Sequence, residues 1–137
     1  MHLNYFCSSG DWTVIQRRVD GSESFARNWT EYKSGFGDPT GNYWAGLDTM
    51  HLATSCTPTR LEINGEIFDN DHFIISYETF RVGDELSQYE LFLDGYSASD
   101  LLLIESFHEN SGHNFTTYDM DNDDVLSENM AEYMSGG

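Results

Sequence analysis

The sequence predicts an α+β domain with a mainly antiparallel sheet and short helices. Two observations support this prediction: strand patterns follow one another at close spacing through the middle of the chain, and two helical patterns precede them. The chain has 137 residues, of which 39% are hydrophobic and 15% are aromatic. One domain with an aromatic-rich core is therefore expected.

The helical patterns lie in the first half of the chain. Three aromatic residues at i, i+4 and i+7 share one helical face and predict a helix over residues 24–33, which the glycines and proline of 35–39 end. A second short helix is expected to begin within 42–48 and to run to position 51 or 52. The aromatic residues expected to form the core are Trp12, Trp29, Tyr32, Phe36, Tyr43 and Trp44.

The strand patterns are short runs of β-branched and aromatic residues bounded by turn signals. Period-two alternation is clearest over 61–67, which predicts a half-buried strand, and a turn is expected at 69–71. The predicted strands cover residues 12–18, 61–67, 72–77, 80–82 and 89–93. From residue 97 onward the pattern loosens into loop chemistry, where binding sites commonly lie.

The charge balance limits the classes of partner. The chain carries 24 acidic and 6 basic residues, a formal net charge of −18, which repels nucleic acid and anionic membrane surfaces. No apolar stretch approaches the roughly 20 residues that a membrane span needs, so no membrane insertion is expected. The excess of carboxylates serves either solubility alone or cation binding, because clustered carboxylates repel one another unless a cation lies among them.

The acidic run at residues 119–124 is the densest carboxylate cluster. Its alternating aspartates are either a solvated turn or a Ca²⁺ site, since hard cations take six to eight oxygen ligands. The spacing excludes an EF-hand. Counting from Asp119 places Asp124 where glycine is required, and counting from Asp121 places Leu126 there.

Catalytic patterns are lacking in the sequence. It has no Gly-x-Ser-x-Gly elbow, no zinc-ligand set among its five histidines and no phosphate-binding glycine loop, so a non-enzymatic protein is expected. Two Asn-x-Thr sequons, at Asn28 and Asn114, are glycosylation sites if the protein is secreted. Cys7 and Cys56 allow one disulfide, but the sequence leaves open whether they pair.

Several of these segments together resemble one family. The matches run in family order from WTVIQRRVDGS at 12–22, through FARNWTEYKSGFG at 25–37 and NYWAGLD at 42–48, to FTTYDMDND at 115–123. This series resembles fibrinogen-related domains, the C-terminal globular domain of fibrinogen chains, ficolins, tachylectins, angiopoietins and tenascins.

The resemblance implies a non-enzymatic, secreted recognition domain with a Ca²⁺ site. It assigns the carboxylates of Asp121 and Asp123 and the main-chain carbonyls of Val125 and Ser127 to that ion, and it places Tyr133 near a ligand-pocket aromatic residue. The expected function is lectin-like binding of acetylated glycans or innate-immune pattern recognition. The alternatives are a protein–protein interaction module of receptor-binding or matrix type, and a truncated product without ligand binding.

The chain also departs from the family pattern. The family domain normally continues beyond the acidic run, so residues 1–137 are expected to be one domain that is incomplete at both ends, with 97–137 as a partial calcium- and ligand-binding subdomain. The family's first disulfide pairs the counterpart of Cys7 with an upstream cysteine, and Cys56 has no usual counterpart. Family members often oligomerise through N-terminal segments, so an oligomer is possible. No signal peptide is visible in the sequence.

Overall fold

The computed structural model describes residues 2–6, 12–57, 59–66, 72–98, 107–124 and 129–134. Within them, seven strands form one sheet: β1 (His2–Phe6), β2 (Trp12–Arg17), β3 (Phe36–Gly37), β4 (Tyr43–Trp44), β5 (Arg60–Glu66), β6 (His72–Val82) and β7 (Leu91–Ala98). The α-helices are α1 (Trp29–Ser34), α2 (Leu47–Ser55) and α3 (Met130–Met134). Short 3₁₀ turns lie at Glu85–Ser87 and His108–Asn110.

The strands pair antiparallel in the order β3-β4-β2-β1-β5-β6-β7. The predicted α+β class with a mainly antiparallel sheet is therefore confirmed. Strand β1 was not predicted, and it lies inside the sheet because it pairs with β2 on one side and β5 on the other. The turn expected at 69–71 and the end of the strand expected over 61–67 lie outside the described residues.

The longest strand corrects two of the predictions. Residues 72–77 and 80–82 are not separate strands, because β6 is continuous and pairs with β5 along its first half and β7 along its second. The strand predicted over 89–93 begins at Leu91 and runs past the expected stop at Asp94 and Gly95 to Ala98. Gly95 has φ +71°, which a glycine adopts inside the strand without ending it.

Helix α1 is shorter than predicted at its start. It begins at Trp29 because Asn28 caps it: the Asn28 side chain accepts a hydrogen bond from the Glu31 N–H, and the Glu31 side chain accepts one from the Asn28 N–H. Phe25 precedes the helix yet is buried, and its carbonyl accepts a 2.7 Å hydrogen bond from the Tyr32 hydroxyl. The three aromatic residues thus share the core without sharing one helix.

Helix α2 begins within the predicted segment 42–48 but ends later than predicted. Tyr43 and Trp44 form β4 instead of the helix start, and α2 runs from Leu47 to Ser55. The Thr54 hydroxyl donates to the Met50 carbonyl at 2.9 Å and accepts from the Val82 N–H at 3.0 Å. This buried hydroxyl joins the last turn of α2 to the end of β6.

The core lies where α1 and α2 cover the sheet. Its buried members include Ile15, Trp29, Tyr32, Leu47, Met50, Leu61, Ile63, Tyr77, Phe80, Val82, Tyr89 and Leu93. Phe36 and Trp44 pack against this cluster, as expected. The core position expected for Trp12 is wrong, because Trp12 is 42% exposed. Alternation along β2 places it on the face opposite buried Ile15.

Asp20 gives the domain an acid-sensitive turn. Its Oδ1 accepts hydrogen bonds from the Ser22 hydroxyl at 2.6 Å, the Ser22 N–H at 2.9 Å and the Asn42 amide at 2.7 Å. These donors, the Ser22 hydroxyl first, lower the pKa of Asp20 to about 2. Buried Asn42 in turn accepts from the Val19 N–H at 2.8 Å. The turn is therefore held by an ionised carboxylate.

We expect Asp20→Asn to lose stability relative to the native protein at pH 6, and most of the difference to be lost at pH 2. A lowered folded-state pKa contributes stability above the unfolded value of 3.8, and that contribution is lost as the pH falls through about 2. Urea unfolding at pH 6, 4, 3 and 2 measures the difference in free energy of unfolding between the two proteins. Repeating it in 1 M NaCl, which screens long-range charge repulsion, separates the local effect from that repulsion. A gap that stays constant from pH 6 to 2 would contradict this assignment.

Candidate functional site

The acidic run lies on a loop that contacts the start of α1 and Gln88, the residue that follows the 3₁₀ turn at Glu85–Ser87. Two main-chain hydrogen bonds anchor the loop's beginning: Leu91 N–H to the His113 carbonyl at 3.0 Å and Phe115 N–H to the Gln88 carbonyl at 2.9 Å. A tight turn follows, in which Thr117 and Met120 exchange hydrogen bonds of 3.0 Å. The carboxylates thus extend from a loop that is fixed at its base.

The first aspartate of the run serves the fold. Asp119 Oδ1 accepts a 2.9 Å hydrogen bond from the Trp29 main-chain N–H and a 2.8 Å hydrogen bond from the Thr117 hydroxyl. Trp29 is the first residue of α1, so this carboxylate satisfies an N–H that has no partner within the helix. Asp119 therefore docks the loop onto α1.

Asp121 and Asp123 share one turn. The Asp123 N–H donates to Asp121 Oδ1 at 3.4 Å, and Asp123 Oδ2 accepts from the Met130 N–H at 2.9 Å. Asp121 is exposed and Asp123 is partly buried. His113 Nδ1 lies 3.1 Å from Asp124 Oδ2 in an exposed ion pair. Asp121 and Asp123 therefore lie together at the surface, as the resemblance implies, and their role as metal ligands stays a prediction.

The donor chemistry of this loop fits Ca²⁺. Two adjacent carboxylates offer the hard oxygens that the ion prefers, and main-chain carbonyls and water usually complete its coordination. Among the residues that the structure describes, no three side chains of His, Cys, Asp or Glu are grouped to hold a metal. The carbonyls of Val125 and Ser127 lie outside those residues, as does the side chain of Tyr133 in α3. Their assigned roles stay predictions.

Both sequons lie in described segments, and their environments differ. Asn28 is partly buried and caps α1 with its side-chain oxygen, which accepts from the Glu31 N–H at 2.9 Å. Asn114 is exposed in the loop, and its side-chain amide donates to Gln88 Oε1 at 2.7 Å. Cys56 is a free, exposed thiol at the end of α2, and Cys7 lies outside the described residues.

Some residues that support the loop carried no recognisable signal in the sequence. The Trp29 indole N–H donates to Glu85 Oε1 at 3.1 Å, and Lys33 forms an ion pair with the same carboxylate. The Lys33 ammonium first, and the indole second, hold the pKa of Glu85 below its usual value. Glu85 is 56 residues from Trp29 in sequence, so no local pattern reveals the contact.

Family comparison agrees with this arrangement of sheet and loop. The family described as fibrinogen beta and gamma chains, C-terminal globular domain, matches residues 2–137. The chain belongs to this family. The resemblance expected from the sequence is thereby confirmed, and so is the fold that it implied.

Relatives of this fibrinogen C-terminal domain include angiopoietins. The chain is 40% identical to angiopoietin-4 of Bos taurus over 134 residues, which are 95% of this chain and 26% of that protein. It is 39% identical to angiopoietin-related protein 7 of Bos taurus over 142 residues, 98% of this chain and 39% of that protein. The chain thus spans well under half the length of these relatives.

Solved structures share the fold. The fibrinogen-like globe domain of human ANGPTL2 matches with a TM-score of 0.87 and 39% identity, over 96% of this chain and 59% of the globe domain chain. Lamprey fibrin D-dimer, complexed with the peptide Gly-His-Arg-Pro-amide, matches with a TM-score of 0.81 and 29% identity, over 97% of this chain and 46% of its own. In the described part of this chain, no helix is long and apolar enough to cross a membrane.

Proposed function

We propose that this fibrinogen-related domain is a non-enzymatic extracellular recognition module that binds a protein or peptide partner, with Ca²⁺ held at Asp121 and Asp123. The observation that carries the proposal is the set of relatives: angiopoietins and angiopoietin-related proteins match over nearly the whole chain. A lamprey fibrin fragment of the same fold has been seen with a bound peptide. The same relatives support secretion of this chain.

The surface beside the acidic run supports a protein partner. Tyr118, Met120 and Met130 are each between 42% and 48% exposed, next to the carboxylates of Asp121 and Asp123. Exposed aromatic and methionine side chains are enriched in protein interfaces, and the neighbouring negative charge favours a partner with basic groups. The net charge of −18 attracts the same kind of partner at long range.

Binding of the fluorescently labelled chain to intact cultured animal cells tests the proposed partner class. We expect saturable binding that trypsin treatment of the cells removes, and that endoglycosidase treatment and free N-acetylglucosamine leave unchanged. Binding that N-acetylglucosamine inhibits would instead support the lectin-like function, for which Tyr133 stays a predicted ligand residue. Saturable binding that survives trypsin, or no binding at all, would contradict a protein partner.

The double variant Asp121→Ala/Asp123→Ala is expected to abolish Ca²⁺ binding. The native chain should bind with a dissociation constant on the order of 10⁻⁴–10⁻³ M, which is typical of extracellular calcium modules. Isothermal titration calorimetry with millimolar CaCl₂ measures it. The control Asp94→Ala/Glu109→Ala removes two exposed carboxylates outside the loop and should bind like the native chain. Equal heats from both double variants would exclude the loop as the site.

A secreted chain is also expected to carry an N-glycan at Asn114. The side chain is exposed, and a glycan would replace one of the two amide hydrogens and leave one for Gln88 Oε1. Expression through a eukaryotic secretory pathway should give a mass increase that peptide N-glycosidase F removes. Asn114→Gln should reduce that increase, whereas Asn110→Gln, an exposed asparagine outside any sequon, should not.

A further inference from the structure

Gln88 occupies an unusual backbone position beside the acidic loop. It follows the 3₁₀ turn at Glu85–Ser87 and has φ 55° and ψ 35°, the left-handed conformation. Tyr89 follows with φ 52°. Residues other than glycine are strained in this conformation, so contacts with neighbouring residues must stabilise Gln88 and Tyr89 in it. Tyr89 is buried in the core, where it packs on Trp29 at 5.5 Å, and Gln88 is left to face the loop.

The side-chain amide of Gln88 bridges two residues of that loop. Its Nε2 donates to Asn122 Oδ1 at 2.8 Å, and its Oε1 accepts from the Asn114 amide at 2.7 Å. Its main-chain carbonyl accepts from the Phe115 N–H at 2.9 Å. Gln88 thus contacts the loop through three atoms, on both sides of residues 116–121.

Asn122 is also held by hydrogen bonds within the loop itself. Its N–H donates to the Thr116 hydroxyl at 3.2 Å, and its side-chain amide donates to the Phe115 carbonyl at 2.9 Å. Together with Gln88, these contacts hold Asn122 at its main chain and at both atoms of its side-chain amide. Because Asn122 lies between Asp121 and Asp123 in the chain, fixing it fixes where both carboxylates leave the backbone.

We infer that Gln88 is a positioning residue that sets the conformation of the acidic loop before a cation binds. The inference rests on the proposed Ca²⁺ site and extends it to a residue that would not touch the ion. A loop that is already ordered loses less conformational entropy on binding, so affinity rises without an added ligand. Residues that support metal ligands in this way typically contribute about 10- to 100-fold in affinity.

Calcium titration of Gln88→Leu is the first test, because leucine keeps the bulk of the side chain and removes both hydrogen bonds. We expect its Ca²⁺ affinity to fall about tenfold. Gln16→Leu, the same change on β2, should bind like the native chain. The double variant Gln88→Leu/Asn122→Ala should bind no more weakly than Asn122→Ala alone, because Gln88 acts through Asn122.

Amide hydrogen exchange in calcium-free protein is the second test, and it does not depend on the ion. The amides of Phe115 and Asn122 should exchange several-fold faster in Gln88→Leu, while those of β6 keep their native rates. Unchanged exchange of Phe115 and Asn122, or faster exchange throughout β6, overturns the inference. Native affinity in Gln88→Leu overturns it while the calcium proposal stands. If the native chain binds no Ca²⁺, the calcium proposal fails and exchange alone decides whether Gln88 orders the loop.

Discussion

Replacing Gly46 with alanine is expected to lower the free energy of unfolding by about 3–5 kcal/mol. Gly46 lies at the start of α2 with φ +95° and ψ 140°, a region that is essentially restricted to glycine. A Cβ there would lie 2.8–2.9 Å from main-chain atoms of residues 33–35 at the end of α1. Backbone cannot rotate away as a flexible side chain would, so the two helices must separate.

Two further glycines distinguish the cost of the positive φ from the cost of the steric clash at Gly46. Gly112 also has a positive φ, +87°, but a Cβ added there would meet nothing within 4 Å, so Gly112→Ala should cost only about 1–2 kcal/mol. Gly21 has open space around it and no positive φ. Gly21→Ala should therefore change the free energy of unfolding by less than about 0.5 kcal/mol. Thermal unfolding measures the series, and Gly46→Ala should lower Tm by roughly 10–20 °C. Equal losses of stability in Gly46→Ala and Gly112→Ala would contradict a steric clash at Gly46.

Truncating Phe115 to alanine is expected to lower the free energy of unfolding by about 2–4 kcal/mol. Its ring packs against Tyr32 at 5.0 Å, Trp44 at 6.0 Å and Trp29 at 6.2 Å. Its main-chain carbonyl accepts a hydrogen bond from the Asn122 side-chain amide at 2.9 Å. Phe115 therefore connects the acidic loop to the aromatic core, and its loss should loosen both.

Urea unfolding followed by tryptophan fluorescence measures this loss, because two tryptophans contact the ring. Phe92→Ala is the matched control: Phe92 is 43% exposed, and the Arg81 guanidinium lies over its ring at 5.4 Å. That variant should lose less than about 1 kcal/mol. Similar losses from both variants would show that Phe115 is not part of the core.

Most helices and strands could be predicted because their causes are local. Alternation over Leu61 and Ile63 marks β5, and the Gly-rich segment after residue 34 ends α1. The errors occurred where distant contacts outweighed local signals. Pairing with two neighbours makes β6 continuous, and β1 exists as a strand because β2 and β5 flank it. Neither effect is contained in a short window of sequence.

In the candidate site, too, some features follow from local sequence and others from distant contacts. Carboxylate density and family order point to Asp121 and Asp123 without any coordinates. The role of Asp119 as the residue that docks the loop on α1 depends on a hydrogen bond that joins positions 90 apart. The Gln88–Asn122 contact joins positions 34 apart and involves two side chains of ordinary surface type. Sequence spacing contains no information about such pairs.

The sequence by itself determined the family, the α+β class and the acidic run as the candidate cation loop, because residue type and order suffice for each. Only the tertiary structure decided which oxygens of that run serve the fold. Asp119 and Asn122 are held by α1 and Gln88, Asp123 accepts from the first residue of α3, and Asp121 lies beside Asp123 at the surface. The physical reason is that hydrogen bonds depend on distance and direction in space, and these follow from packing.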